Sequence, residues 1–198
     1  MYDPVLKQNF SYTIPKSQTH DWYGQNNVTE PIWATNQRGG NGRLSAAEWV
    51  GAGVQFGNES IIYIPYGSMP TYESMIDKFF EYYTRDTDPI NFAAIYIDEP
   101  DHTGHLYGPY SQQMKEKLDY IDGLLGYILA KVKTSGLFDK LNMIVTSDHG
   151  MDSISERNTV FLDSHIDTNL FDAYGSRAVY NLFVKDSNID FFSFFQFN

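Results

Sequence analysis

The sequence predicts an α/β fold in which a mainly parallel sheet is flanked by helices. Two apolar, partly β-branched runs, 91–97 and 141–146, read as buried strands. Between them, residues 111–134 show the clearest helical period in the chain. Met114, Leu118, Ile121, Leu125, Ile128 and Val132 recur by fours and threes and form one apolar stripe. Strand, long helix, strand is a βαβ crossover, and such crossovers build parallel sheets.

The remaining elements follow in order. Residues 1–30 are polar with scattered aromatics and no period, and read as loop or extended arm. A short helix over 30–36 opens at Pro31, a favoured first-turn position. Residues 37–43 form a Gly/Asn turn region, 44–50 a short strand, and Gly51, Gly53 and Gly57 a loop. A helix over 71–85 is capped by Thr71 and lined by Met75, Phe79, Phe80 and Tyr83. The long helix is capped by Ser111 and stopped by Gly136. Residues 178–184 read as a third strand. The apolar tail, Phe191 to Phe197, is either a buried edge segment or the ragged end of a longer chain. With no repeat and no linker, 1–198 reads as one domain or part of one.

Composition limits the function. The chain has 198 residues, enough for a real core. A net charge of −11 argues against a duplex nucleic acid partner, where Lys and Arg must replace counterions. A small phosphorylated substrate remains compatible, because bound divalent cations reverse the local sign. The absence of cysteine excludes disulfide and thiolate chemistry. No signal peptide is visible at Met1-Tyr2-Asp3-Pro4, and no apolar run reaches membrane-spanning length. Three N-x-[ST] sequons, at Asn9, Asn27 and Asn58, favour secretion mildly and are candidate glycosylation sites.

Two motifs concentrate the chemistry. Glu99-Pro100-Asp101-His102-Thr103-Gly104-His105, leading to Gly108-Pro109, follows the first buried strand; Ser147-Asp148-His149-Gly150-Met151 follows the second. Each delivers one aspartate and one histidine to the carboxyl end of a strand, where open α/β sheets bind ligands. Carboxylate plus imidazole suits zinc and leaves positions open for substrate oxygens. Pro100, Gly104 and Pro109 around Asp101 and His105 predict a loop that wraps back rather than a helix. Asp148 and His149 are adjacent, and Gly150 permits the bend that turns both toward one region. Alone, an Asp-x-x-x-His pair is more often a loop hydrogen bond than a ligand set, and an Asp-His after a strand is often a helix cap; the two pairs together carry the reading. His102 and His20 read as surface residues and His165 as structural. Ser147 has no identifiable base beside it and is not read as a nucleophile.

These motifs resemble the ectonucleotide pyrophosphatase/phosphodiesterase family of the alkaline phosphatase superfamily. Supporting pieces match in order: Met1-Tyr2-Asp3-Pro4, Glu30-Pro31-Ile32-Trp33, Ser45-Ala46-Ala47, Tyr66-Gly67-Ser68-Met69-Pro70 and Leu162-Asp163-Ser164. The resemblance covers roughly residues 1–185. It implies an alkaline phosphatase-like fold and a phosphodiesterase with two zinc ions. A threonine would attack phosphorus and form a nucleotidyl-enzyme that water then cleaves, with the zincs activating both. Asp101 and His105 would bind one zinc, Asp148 and His149 the other. Tyr66 matches a base-stacking position and Tyr96 an aromatic of the same pocket. A packed loop tyrosine and a sheet aromatic are the plain alternatives for these two. The implied substrate is a nucleotide or dinucleoside polyphosphate. The implied location is extracellular or membrane-anchored, the membrane being reached only through an anchor outside this chain.

The sequence departs from the family pattern at both ends. The nucleophilic threonine and one zinc-binding aspartate lie upstream of the Met-Tyr-Asp-Pro segment in the family, and a third histidine lies downstream. Leu162-Asp163-Ser164-His165 replaces a pattern that often carries cysteine. The chain therefore reads as a partial phosphodiesterase catalytic domain, probed by three expectations: weak zinc binding, no turnover by the chain alone, and an open sheet edge. The alternatives are an inert fragment, a glycosylated binding protein, or a superfamily hydrolase of other phosphate or sulfate esters.

Overall fold

The structure, a computed structural model, describes residues 2–3, 7–9, 19, 29–56, 60–155, 157, 159–176 and 179–185. Its elements are β1 (Tyr2–Asp3), β2 (Gln8–Asn9), α1 (Ile32–Arg38), β3 (Ser45–Glu48), β4 (Ile62–Ile64), α2 (Tyr72–Thr84), β5 (Phe92–Ile95), α3 (Asp101–Tyr107), α4 (Gln112–Thr134), β6 (Phe171–Ser176) and β7 (Val179–Val184). Two 3-10 turns, Leu162–Ser164 and Thr168–Leu170, precede β6. Chain contacts divide into two compact units: Gln18–Ser153, and Met1–Ser17 with Ile154–Asn198.

In the larger unit, β3 lies between β4 and β5, parallel to both, with Ala46 opposite Ile62 on one side and Ala93 on the other. All four residues of β3 are buried, as a central strand covered on both faces requires. Small side chains at Ser45, Ala46 and Ala47 let neighbouring elements approach closely. Helix α1 is latched there: Asn36 Nδ2 donates to Ser45 Oγ at 2.9 Å, and Ser45 Oγ donates to the Trp33 carbonyl at 2.7 Å.

Helix α2 forms the crossover from β4 to β5. Thr71 and Ser74 make a reciprocal capping box at its start. Its apolar residues face two ways. Met75 and Phe79 pack with Ala46, Ile64 and Ile90 against the sheet; Ile76 and Phe80 pack with Leu124 and Val132 of α4. The order is therefore sheet, α2, α4, and the expected parallel sheet flanked by helices is present. Helix α4 is capped by the Ser111 side chain, which accepts from Met114 N–H at 3.1 Å. It ends before Gly136, whose φ of 68° suits the left-handed conformation that glycine adopts without strain.

Three expectations are corrected. The short helix spans 32–38 rather than 30–36, with Pro31 at the cap position and the turn starting at Gly39. Strand β4 was not expected, because three residues are too few to show a period. Residues 141–146 do not form a strand. Met143, Ile144 and Val145 are exposed, and among the described residues no strand pairs with them. An apolar run supplies strand propensity, but a ladder also needs a partner. The sheet's crossover therefore runs from β4 through α2 to β5, not across α4. Within α4, Leu124 is buried and Leu118 half exposed, so the stripe is centred slightly away from the expected one.

In the second unit, β6 and β7 pair antiparallel from Phe171–Val184 to Ser176–Val179. Tyr174 and Phe183 meet edge to face at 5.6 Å, and Lys185 reaches Asp172 at 3.0 Å. The expected strand over 178–184 is thus β7, in a two-stranded sheet of its own. Strands β1 and β2 form another antiparallel pair, within what the sequence suggested was an arm. His20, Gly57, Ala178 and the Phe191–Phe197 tail lie outside the described residues.

The revised face of α4 is tested by truncation. Leu124→Ala should lower unfolding free energy by about 2–5 kcal/mol. Leu118→Ala should change it by no more than about 0.5 kcal/mol. Urea denaturation of both variants measures the contrast.

Candidate active site

Parallel register brings the carboxyl ends of β3, β4 and β5 to one edge of the sheet. The chain leaves that edge as Trp49, as the Tyr66-Gly67 turn, and as Tyr96 to Asp98. Tyr96 sits between the other two aromatics, its ring 5.0 Å from Trp49 and 5.7 Å from Tyr66. Tyr66 Oη donates to Asp98 Oδ2 at 2.7 Å, and Tyr72 Oη donates to Oδ1 of the same carboxylate. Burial, then the hydrogen bond to Asp98, pushes the Tyr66 phenol up. Burial opposes ionisation of Asp98, but the two phenol donors outweigh it and hold its carboxyl below the usual range.

Asp101 and His105 lie on a helix rather than a loop. Helix α3 starts directly after Pro100, which occupies its cap position, and includes Gly104 in its interior. Asp101 in the first turn and His105 in the last are four apart and share one face. Glu99 secures the helix start. Its Oε2 accepts from Thr103 N–H at 3.0 Å, and Lys117 of α4 approaches Oε1 at 3.2 Å. Burial raises the Glu99 pKa, but these donors overcome it and leave the carboxyl below its ordinary value of 4.5.

The second motif follows the exposed 141–146 segment and meets α3 at Gly104. A side chain at that buried glycine would occupy the space of the Met151 sulfur and lie 2.7 Å from Met114 Cε. The missing Cβ therefore seats Met151 on the helix and brings Asp148 and His149 beside Asp101. His105 Nε2 lies 3.4 Å from Asp101 Oδ1, His149 Nε2 lies 3.7 Å from that same oxygen, and 3.8 Å from Asp148 Oδ2. All four expected ligand residues thus join one series of contacts.

Only the 3.4 Å His105–Asp101 separation matches two ligands of one ion; the 3.7 and 3.8 Å separations are too long for a direct hydrogen bond and somewhat long for a shared ion. Two ligands about 2.0–2.2 Å from one tetrahedral ion stand roughly 3.3–3.5 Å apart. Asp101 Oδ1 is buried and has no hydrogen-bond partner, although two imidazole nitrogens face it. His149 Nδ1 lies 2.9 Å from the Gly150 carbonyl, which can only accept, so Nδ1 carries a proton and Nε2 is the nitrogen turned toward the carboxylates. The Gly150 carbonyl first, then Asp148 and Asp101, raises the His149 pKa. Carboxylate and imidazole are the donor types that a zinc ion takes, and here they stand as two pairs. Among the described residues no three such groups close around a single point.

The other expectations resolve unevenly. His102 and His165 are exposed. Ser147 Oγ donates to the His149 carbonyl at 2.5 Å, which makes it part of the turn. Asn27 and Asn58 lie outside the described residues, and of Asn9 only its backbone, in β2, is described. Glu48 and Asp98 were missed. A charged residue closing an apolar strand and an aspartate next to Glu99 were the available signals.

With this geometry in view, comparison with known proteins identifies the family. The profile described as type I phosphodiesterase / nucleotide pyrophosphatase matches residues 1–192. The chain belongs to that family. It is 39% identical over 169 residues to the mouse bis(5'-adenosyl)-triphosphatase enpp4, covering 84% of this chain and 36% of that protein. It is 33% identical over 191 residues to human ectonucleotide pyrophosphatase/phosphodiesterase family member 5, covering 96% and 39%. The solved structure of murine family member 5 superposes with a TM-score of 0.75 at 34% identity, covering 96% of this chain and 50% of that one. An inactive variant of that murine protein, in complex with AMP, matches equally well. The α/β fold is thus of the expected type, and the chain spans well under half the length of these curated relatives.

Two predictions follow from the helix and its contacts. Gly104→Ala should destabilise, because its Cβ would meet both Met151 and Met114. In a Met151→Ala background that cost should shrink to the contact with Met114 Cε, which urea unfolding of the four chains will measure. For Glu99, the folded state favours the carboxylate more than the unfolded chain does. Its contribution is whole above pH 4.5 and is lost as pH falls through the lower folded value. Glu99→Gln should therefore flatten the acid limb of stability, read as urea midpoints from about pH 3 to 6.

Proposed function

We propose that the chain forms part of a two-zinc catalytic domain that hydrolyses phosphodiester or pyrophosphate bonds of nucleotides. The observation behind this reading is the contact series His105–Asp101–His149–Asp148, with a buried, unpartnered carboxylate oxygen at its centre. Asp101 and His105 would hold one zinc, and Asp148 and His149 the other. Bound zinc supplies Lewis-acid stabilisation of charge on phosphoryl oxygens.

The chain's own residues do the positioning. Glu99 and Gly104 set α3 against α4 and against the second motif. The Gly150 carbonyl holds His149 Nδ1 and so turns Nε2 toward the carboxylates. Tyr66 and Tyr96, on the same sheet edge as the β5 exit that leads to Asp101, offer aromatic faces to a nucleobase. The names of the relatives support a nucleotide or dinucleoside polyphosphate substrate. Residues 1–198 then constitute a partial catalytic domain. The location is extracellular or membrane-anchored, with Asn9, Asn27 and Asn58 as glycan acceptors. Among the described residues no helix is long and apolar enough to cross a membrane.

Calorimetric titration with zinc tests the site. Saturable binding is expected, weakened about tenfold or more by Asp101→Ala, because that oxygen faces both imidazoles. Hydrolysis of bis(5'-adenosyl) triphosphate by the chain alone is expected to stay at the buffer rate. Zinc affinity that ignores both Asp101→Ala and His149→Ala overturns the assignment.

A further inference from the structure

Glu48 is a buried carboxyl that the proposed chemistry leaves unused. It closes β3 at the substrate edge and is 4% exposed, yet its Oε2 has no hydrogen-bond partner. Burial first, and the nearby Asp98 charge as well, raises its pKa against the pull of main-chain donors. An apolar residue of similar size would fill a strand end at lower cost in desolvation. A disfavoured group of this kind points to a demand other than stability.

Its one answered oxygen identifies that demand. Gly67 N–H donates to Glu48 Oε1 at 3.1 Å, which pins the main chain of the Tyr66-Gly67 turn to the sheet. At the far end of the tyrosine, the hydroxyl donates to Asp98. Asp98 is itself steadied by the Tyr72 hydroxyl from α2. Tyr66 is thus held at its backbone and at its ring tip, while the residue remains 41% exposed and its ring rests 5.7 Å from Tyr96.

We propose that Glu48 and Asp98 are positioning residues that preset the Tyr66 ring for stacking a nucleobase. The inference rests on the nucleotide reading above. A ring held in one orientation loses less freedom when a base settles on it, and preorganisation of this sort appears as affinity. Glu48 acts through the turn and Asp98 through the hydroxyl. Neither is assigned contact with the base.

AMP, titrated calorimetrically into the full chain, is the probe, with thermal unfolding followed alongside. Tyr66→Ala should weaken AMP binding about tenfold or more. Tyr66→Phe keeps the ring and loses the clamp, and should weaken binding about three- to tenfold, as should Asp98→Ala, which removes the acceptor. The double variant should bind no worse than either single, because both remove one interaction. Glu48→Gln retains the acceptor and should bind within about twofold of the unaltered chain. Glu48→Leu should bind about three- to tenfold more weakly while unfolding at an equal or higher temperature.

Losses that multiply in the double variant, or AMP affinity untouched by Glu48→Leu and Tyr66→Phe, overturn the proposal while leaving stacking in place. Should Asp98→Ala fail to fold, Tyr66→Phe and Glu48→Leu decide the matter. Unaltered affinity in Tyr66→Ala, or no saturable AMP binding by the unaltered chain, removes nucleobase stacking itself and the positioning role with it.

Discussion

Parallel pairing of β4 and β5 on either side of β3 is the constraint on which the rest of the larger unit depends. It buries β3 completely, which restricts that strand to small side chains and makes Glu48 an exception. It requires a crossover between β4 and β5, and α2 supplies one by burying two apolar faces at once. It also sends three chain segments off the same edge of the sheet. Trp49, Tyr66, Tyr96 and Asp98 are neighbours for that reason, although they span fifty positions of sequence.

The cluster of Asp101, His105, Asp148 and His149 depends on a second, more local contact. Asp101 and His105 are organised by one helical turn, so their relation is short-range. Asp148 and His149 follow an exposed segment without strand pairing. What joins the two motifs is a glycine in a helix interior, a conformationally costly choice that admits the Met151 side chain against α3. Two weak Asp/His signals become one cluster through that missing methyl group. Burial of Asp101 Oδ1 without a partner is the electrostatic consequence, and a cation answers it more completely than either imidazole alone.

Much of this was legible beforehand. The helices over 71–85 and 111–134 announced themselves through period and caps, and Thr71 and Ser111 do cap them. The strands at 44–50 and 91–97 were readable as apolar runs between turn residues. The four Asp and His residues and the two tyrosines stood out by motif. Helix α3 was misread because Pro100 and Gly104 count as helix breakers in isolation. In place, Pro100 sits at the cap position, where its missing N–H costs nothing, and Gly104 is retained for packing. The 141–146 run was misread because its propensity is local, whereas its partner, if any, is not.

The sequence by itself determined the local chemistry: where the two long helices start and stop, which side chains are of metal-binding type, which rings offer a stacking face, and an acidic balance that argues against a duplex partner. These depend on residues within a few positions of one another. The tertiary structure decided what no short window contains. It set Asp101 between two imidazoles, tied Tyr66 to Asp98 and Gly67 to Glu48, and turned α2 into the sheet's crossover. Each of these pairings closes a long loop of chain, and which loops close is settled by the competition among all the apolar faces at once.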